Sequence, residues 1–79
     1  MIRGDRVRER RKALNMTQIE LANAVGIKQG FLSQVEAGKR DVSTDTLVAL
    51  ARMLRTTLGH LLGVEENDED VEVLAAAVA

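Results

Sequence analysis

Residues 17–40 read TQIELANAVGIKQGFLSQVEAGKR, and this stretch decides the fold. Thr17 followed three positions later by Glu20 is a capping box, in which each side chain satisfies a free backbone amide at a helix start. Leu21, Ala22 and Val25 then supply an apolar stripe at helical spacing, and Gly26 closes the helix. A second helix follows over about Lys28–Ala37 with Leu32 and Val35 inward, stopped by Gly38. Two short helices crossing steeply through a tight turn need a small residue at the crossing and a residue tolerant of positive φ in the turn. Ala22 and Gly26 meet those needs. What remains on the outer face of the second helix is Lys28, Gln29, Gly30, Ser33 and Gln34, a polar, acid-free surface able to meet base edges in a DNA major groove.

Working outward, the same grammar recurs. A first helix is expected over about Asp5–Leu14, with Asp5 as its cap and Asn15 as the left-handed residue that ends it. Lys39–Val42 reads as a loop. Ser43 or Thr44 caps a fourth helix whose apolar positions Leu47, Leu50, Ala51 and Leu54 fall at i, i+3, i+4 and i+7. Thr57 caps a short fifth helix through Leu62, closed by Gly63. The reading is all-α: a five-helix bundle over residues 1–63. Residues 64–79 form an acidic tail in which Glu65, Glu66, Asp68, Glu69, Asp70 and Glu72 precede Val-Leu-Ala-Ala-Ala-Val-Ala. That tail reads as a short dimerisation or partner helix, with Val71, Leu74 and Val78 on one face, as a disordered solubilising segment, or as a recognition signal.

The net charge of −1 conceals a division. Residues 1–40 carry nine Lys/Arg against four Asp/Glu, and residues 41–79 carry two against eight. A basic half suits a polyanionic partner. The chain has no cysteine and one histidine, His60, so no thiolate metal site, disulfide or cofactor is expected. No acid/base dyad, nucleophile–base pair or phosphate loop can be assembled, so an enzyme is not expected, and no small-molecule ligand is indicated. No run of about 18 apolar residues is present, and the start lacks the apolar stretch of a signal peptide, so the expectation is cytoplasmic. A domain this small buries only about 60% of the surface its unfolded chain exposes, which makes oligomerisation the expected source of added stability.

The segments Met-Thr-Gln-Ile-Glu-Leu-Ala (16–22), Val-Gly-Ile (25–27), Leu-Ser-Gln-Val-Glu-Ala-Gly-Lys-Arg (32–40) and Thr-Leu-Val-Ala-Leu-Ala (46–51) together resemble the Cro and phage-repressor type of DNA-binding domain, the xenobiotic-response-element family. The resemblance covers residues 5–63. It implies a dimeric transcriptional regulator, such as a repressor on a palindromic operator, whose third helix enters the major groove. An antitoxin, a restriction–modification controller, or an interaction module that has lost DNA are the alternatives. Carried over by position, Gln18 holds a phosphate and braces the third helix. Gln29 and Gln34 reach base edges, while Lys28 and Ser33 contact phosphates or bases. Lys39 and Arg40 lie along the backbone, and Arg11 and Glu36 form a structural ion pair. Gly30 departs from the pattern, as do Arg55, where glycine is usual, and Gly59 and His60, where an acidic pair is usual. Gly30 either permits close approach to DNA or is merely tolerated. Leu58, Leu61, Leu62, Val71 and Leu74 form the expected dimer surface. The arginines of residues 3–12 read mainly as a solvated helix face, with one or two touching phosphate.

Overall fold

The computed structural model describes residues 1–64. Five helices follow one another: α1 (Gly4–Ala13), α2 (Gln18–Val25), α3 (Gln29–Glu36), α4 (Thr44–Met53) and α5 (Leu58–Leu62). The α2–α3 pair packs together and is cradled by α1 on one side and α4 on the other, while α5 bridges α1 and α4. Val7, Leu21, Leu32, Val35, Leu50, Leu54 and Leu61 are fully buried and meet at the centre. Ile2, Ala22 and Ala51 complete the core, with Leu14, Val25, Ile27, Phe31 and Leu47 partly buried around it. Phe31, the one aromatic residue, thus packs at the core's edge.

All five helices end in one way. A residue at or just after each C-cap, Asn15, Gly26, Gly38, Arg55 or Gly63, has a φ between 53° and 77°. In each case the next amide reaches back five residues: Met16 to Arg11, Ile27 to Ala22, Lys39 to Gln34, Thr56 to Ala51, and Val64 to Gly59. This left-handed closure satisfies carbonyls that the helix leaves without partners. Asn tolerates the conformation through its short polar side chain. Arg55 does not, and its turn is held from outside: the Arg10 guanidinium donates to the Leu54 carbonyl (2.8 and 3.1 Å) and to the Arg55 carbonyl (3.3 Å).

The starts are as regular. Thr17 and Glu20 make both bonds of the capping box, and Ser43 and Thr57 each accept the amide three residues on. Bonding to the Thr17 backbone amide lowers the Glu20 carboxyl below its ordinary pKa. Two helices lack a side-chain cap: α3, whose N-cap is Lys28, and α1, which corrects the expectation that Asp5 caps it. The helix begins at Gly4, and its N-cap Arg3 makes no side-chain cap. Asp5 is instead gripped by the Arg3 guanidinium at 2.7 and 3.0 Å, which lowers its pKa. The helix starts earlier because the chain before it is anchored: the Arg3 amide donates to the Leu61 carbonyl (2.7 Å) and the Ile2 amide to Asp41 Oδ1 (3.1 Å). Gly4 is buried directly on the end of α3, where any Cβ would overlap the Val35 carbonyl oxygen. Close approach of two backbones is what requires glycine there.

A candidate nucleic-acid interface on the third helix

The site begins with a buried charge. Arg11 on α1 and Glu36 at the end of α3 form a two-point pair, Nε to Oε2 at 2.8 Å and Nη2 to Oε1 at 3.0 Å, with side chains only 10% and 3% exposed. Arg11 Nη1 also donates to the Met16 carbonyl at 2.9 Å, which places the chain entering α2. The hydrogen bond to Glu36 raises the already high Arg11 pKa. The pair therefore binds α1, the α1–α2 turn and the end of α3 into one unit.

From this pair a chain of hydrogen bonds runs to the surface. Gln18 Nε2 donates to Glu36 Oε1 at 3.1 Å, and Gln29 Nε2 donates to Gln18 Oε1 at 3.3 Å. The polarity follows from chemistry. A carboxylate only accepts, so Gln18 must present its amide nitrogen inward and its oxygen outward, and Gln29 must supply the N–H that meets it. Gln18 thus links the ion pair to the start of α3.

The outer face of α3 lies open. Lys28, Gln29, Gly30, Ser33 and Gln34 are all exposed, and no acidic side chain stands among them. A Cβ on Gly30 would meet nothing within 4 Å, so packing within the protein does not demand glycine there. Lys39 and Arg40 continue the polar surface past the end of the helix, both exposed. Gln34 Oε1 accepts from Arg40 Nε at 3.1 Å. A cleft of about 260 Å³ opens between α1, α2 and α3, lined by Arg8, Arg11, Gln18, Ser33, Glu36 and Ala37.

The structure redistributes the arginines of α1. Arg3 is paired with Asp5, Arg6 donates to the His60 carbonyl at 3.0 Å, Arg10 holds the α4–α5 turn and Arg11 holds Glu36. Arg6, Arg10 and Arg11 serve the fold rather than a solvated face, whereas the Arg3–Asp5 pair lies exposed. Arg8 is exposed and lines the cleft beside Gln18 and Ser33, so it is the α1 arginine that joins the candidate interface. Sequence spacing alone did not single it out, because α1 carries basic residues on every side.

The expected dimer surface needs one correction. Leu61 is fully buried and packs in the core, so it cannot face a partner. Its place in the short α5, between α1 and α4, turns it inward. Leu58 (42% exposed), Leu62 (39%) and Val64 (57%) do face outward. Val71 and Leu74 lie outside the described residues.

Comparisons with known proteins agree with this geometry. A helix-turn-helix family model matches residues 7–61. The chain is 36% identical over 63 residues to the HTH-type transcriptional regulator ImmR of Bacillus subtilis, covering 80% of this chain and 50% of that protein. The chain thus spans half the length of that relative. Among solved structures it resembles the P22 c2 repressor protein in complex with a synthetic operator, with a TM-score of 0.76 and 31% identity, over 82% of this chain and 98% of that one. It also resembles the restriction–modification controller protein C.AhdI from Aeromonas hydrophila, with a TM-score of 0.69 and 34% identity, over 73% of this chain and 88% of that one.

Proposed function

This chain belongs to the XRE-type helix-turn-helix family, and on that premise we propose that it is a DNA-binding transcriptional regulator that represses from a palindromic operator as a two-fold dimer. Helix α3 enters the major groove. The observation that carries the reading is the exposed, acid-free face of α3, locked through Gln18 to a buried ion pair and continuous with Lys39 and Arg40. A reader of bases must hold its side chains in place before contact, and this bracing does so. Gln29 stands at the start of α3 and is the main base reader. Gln34, about 140° further around the helix, reads from the flank. Arg8, Lys28, Lys39 and Arg40 supply phosphate contacts, with Gln18 and Ser33 lining the same cleft.

A single domain of this size spans too few base pairs to be selective, and symmetry doubles the site, with recognition helices about 34 Å apart. Leu58 and Leu62, exposed on α5, are the described part of the dimer surface. No helix among the described residues is long and apolar enough to cross a membrane. We place the protein's action in the cytoplasm, where its DNA would lie. A restriction–modification controller is the second reading, favoured by the likeness to C.AhdI, and it uses the same DNA-reading surface.

Fluorescence anisotropy with operator-length duplexes selected from genomic fragments tests the proposal. Four phosphate-facing cations per subunit make eight in a dimer, which gives a log–log salt slope near about −7. Absence of binding, or a slope near zero, would overturn it.

A further inference from the structure

We propose that Arg40 is a specificity-determining residue, acting by fixing which face of the Gln34 amide is offered to DNA. The inference rests on the DNA-reading role given to α3 above. The observation is the Arg40 Nε to Gln34 Oε1 hydrogen bond at 3.1 Å, made six residues apart across the left-handed closure at Gly38. A guanidinium has five N–H groups and no acceptor, so the group that meets it from Gln34 has to be the carbonyl oxygen. The amide is therefore not free to turn end for end while Arg40 is in place.

This has a consequence for base choice. A glutamine pairs with adenine at two points by accepting from N6–H and donating to N7, and so needs an oxygen lone pair turned to the base. With Oε1 turned to Arg40, Gln34 offers its NH₂ group. Guanine presents two acceptors in the major groove, O6 and N7, whereas adenine presents N7 beside the N6 donor. The NH₂ group so presented matches the two guanine acceptors, while Oε1, with one lone pair held by Arg40, is turned from the adenine N6–H₂. Gln29 has the opposite arrangement. Its nitrogen donates one hydrogen to Gln18 Oε1, which leaves Oε1 and the second N–H for adenine. Gly30, one turn before Gln34, adds no side chain to that part of the face, and open space surrounds the point where one would begin. Two glutamines on one short helix are thus preset for different bases by neighbours of different chemistry.

The test is binding-site selection from a randomised duplex library, using the full chain, Arg40→Ala, Gln34→Ala and the double variant, each checked for helicity. The full chain is expected to enrich guanine at a base position whose preference Gln34→Ala abolishes. Arg40→Ala is expected to cut guanine-over-adenine discrimination at that position by about tenfold, because the freed amide can turn to accept from adenine. In the Gln34→Ala background, Arg40→Ala should weaken binding without changing any base preference. The proposal is overturned if Arg40→Ala weakens all sequences equally and leaves the guanine preference intact. It is also overturned if the Gln34-dependent position prefers adenine, or if no position depends on Gln34. Failure of the full chain to enrich any sequence would instead strike the DNA-reading role itself.

Discussion

Replacing Glu36 by alanine removes the acceptor on which three buried or half-buried donors converge: Arg11 Nε, Arg11 Nη2 and Gln18 Nε2, at 2.8, 3.0 and 3.1 Å. The Arg11 side chain is only 10% exposed, so its charge cannot recover full hydration without moving the end of α1. Leaving one member of a buried ion pair uncompensated costs about 3–5 kcal/mol. A domain of the 64 described residues holds roughly 3–10 kcal/mol in all, at about 0.05–0.15 kcal/mol per residue, so the variant sits at the edge of unfolding. The chain has no Trp or Tyr, so urea unfolding is best followed by far-ultraviolet circular dichroism. With a slope near about 1 kcal/mol/M for a small domain, the midpoint should fall by about 3 M or more. The double variant Arg11→Met, Glu36→Leu removes both charges and should recover most of the loss, less the bonds from Arg11 to the Met16 carbonyl and from Gln18 to Glu36. A Glu36→Ala variant within about 1 kcal/mol of the parent would refute the reasoning, since the pair would then be neither desolvated nor organising.

Gly4→Ala should destabilise by about 3 kcal/mol or more in the same assay, because the new Cβ meets the Val35 carbonyl and the Glu36 backbone rather than a side chain that can turn away. Arg55→Gly should instead stabilise by roughly 0.5 kcal/mol: relief of the left-handed strain at φ 53° exceeds the entropy that glycine adds to the unfolded chain. The Asp41 carboxyl sits below its ordinary pKa because the Val42 and Ile2 amides donate to it. A lowered folded-state pKa adds stability above the unfolded value near about 4 and loses it as pH falls through the folded one, so the Tm gap between the parent and Asp41→Ala should be widest near neutrality and close below that value.

What the sequence made legible is what local chemistry decides. The Thr17–Glu20 box, the Ser43 and Thr57 caps, the left-handed Asn15 and the glycine stops at 26, 38 and 63 all depend on residues within a turn of one another. The five helices followed from these signals and from the spacing of Leu47, Leu50, Ala51 and Leu54. The missed features join distant parts of the chain. Gly4 is required by α3, more than 30 residues on, and Arg6 and Arg10 serve carbonyls 54 and 44 residues away. Leu61 belongs to the same class: helical spacing marks it apolar, but only the packing of α5 between α1 and α4 says that it points inward. Arg55 shows the converse, a residue that its own turn disfavours, held there by Arg10. In the candidate site, residue types and helix position indicated which side chains to consider. The hydrogen bonds that orient Gln29 and Gln34 depend on side-chain conformations across α1, α2 and the Gly38 turn, which no sequence spacing encodes.

The central claim is that α3 reads DNA while Lys39 in the loop after it anchors, and binding-site selection with Gln29→Ala beside Lys39→Ala tests it most directly. Gln29→Ala is predicted to lose about 1–3 kcal/mol at one base position per half-site and to relax the choice there. Lys39→Ala is predicted to weaken every sequence alike and to reduce the salt slope by about one unit per subunit. A Gln29→Ala protein that keeps the parental consensus, with Lys39→Ala altering it, would contradict the account.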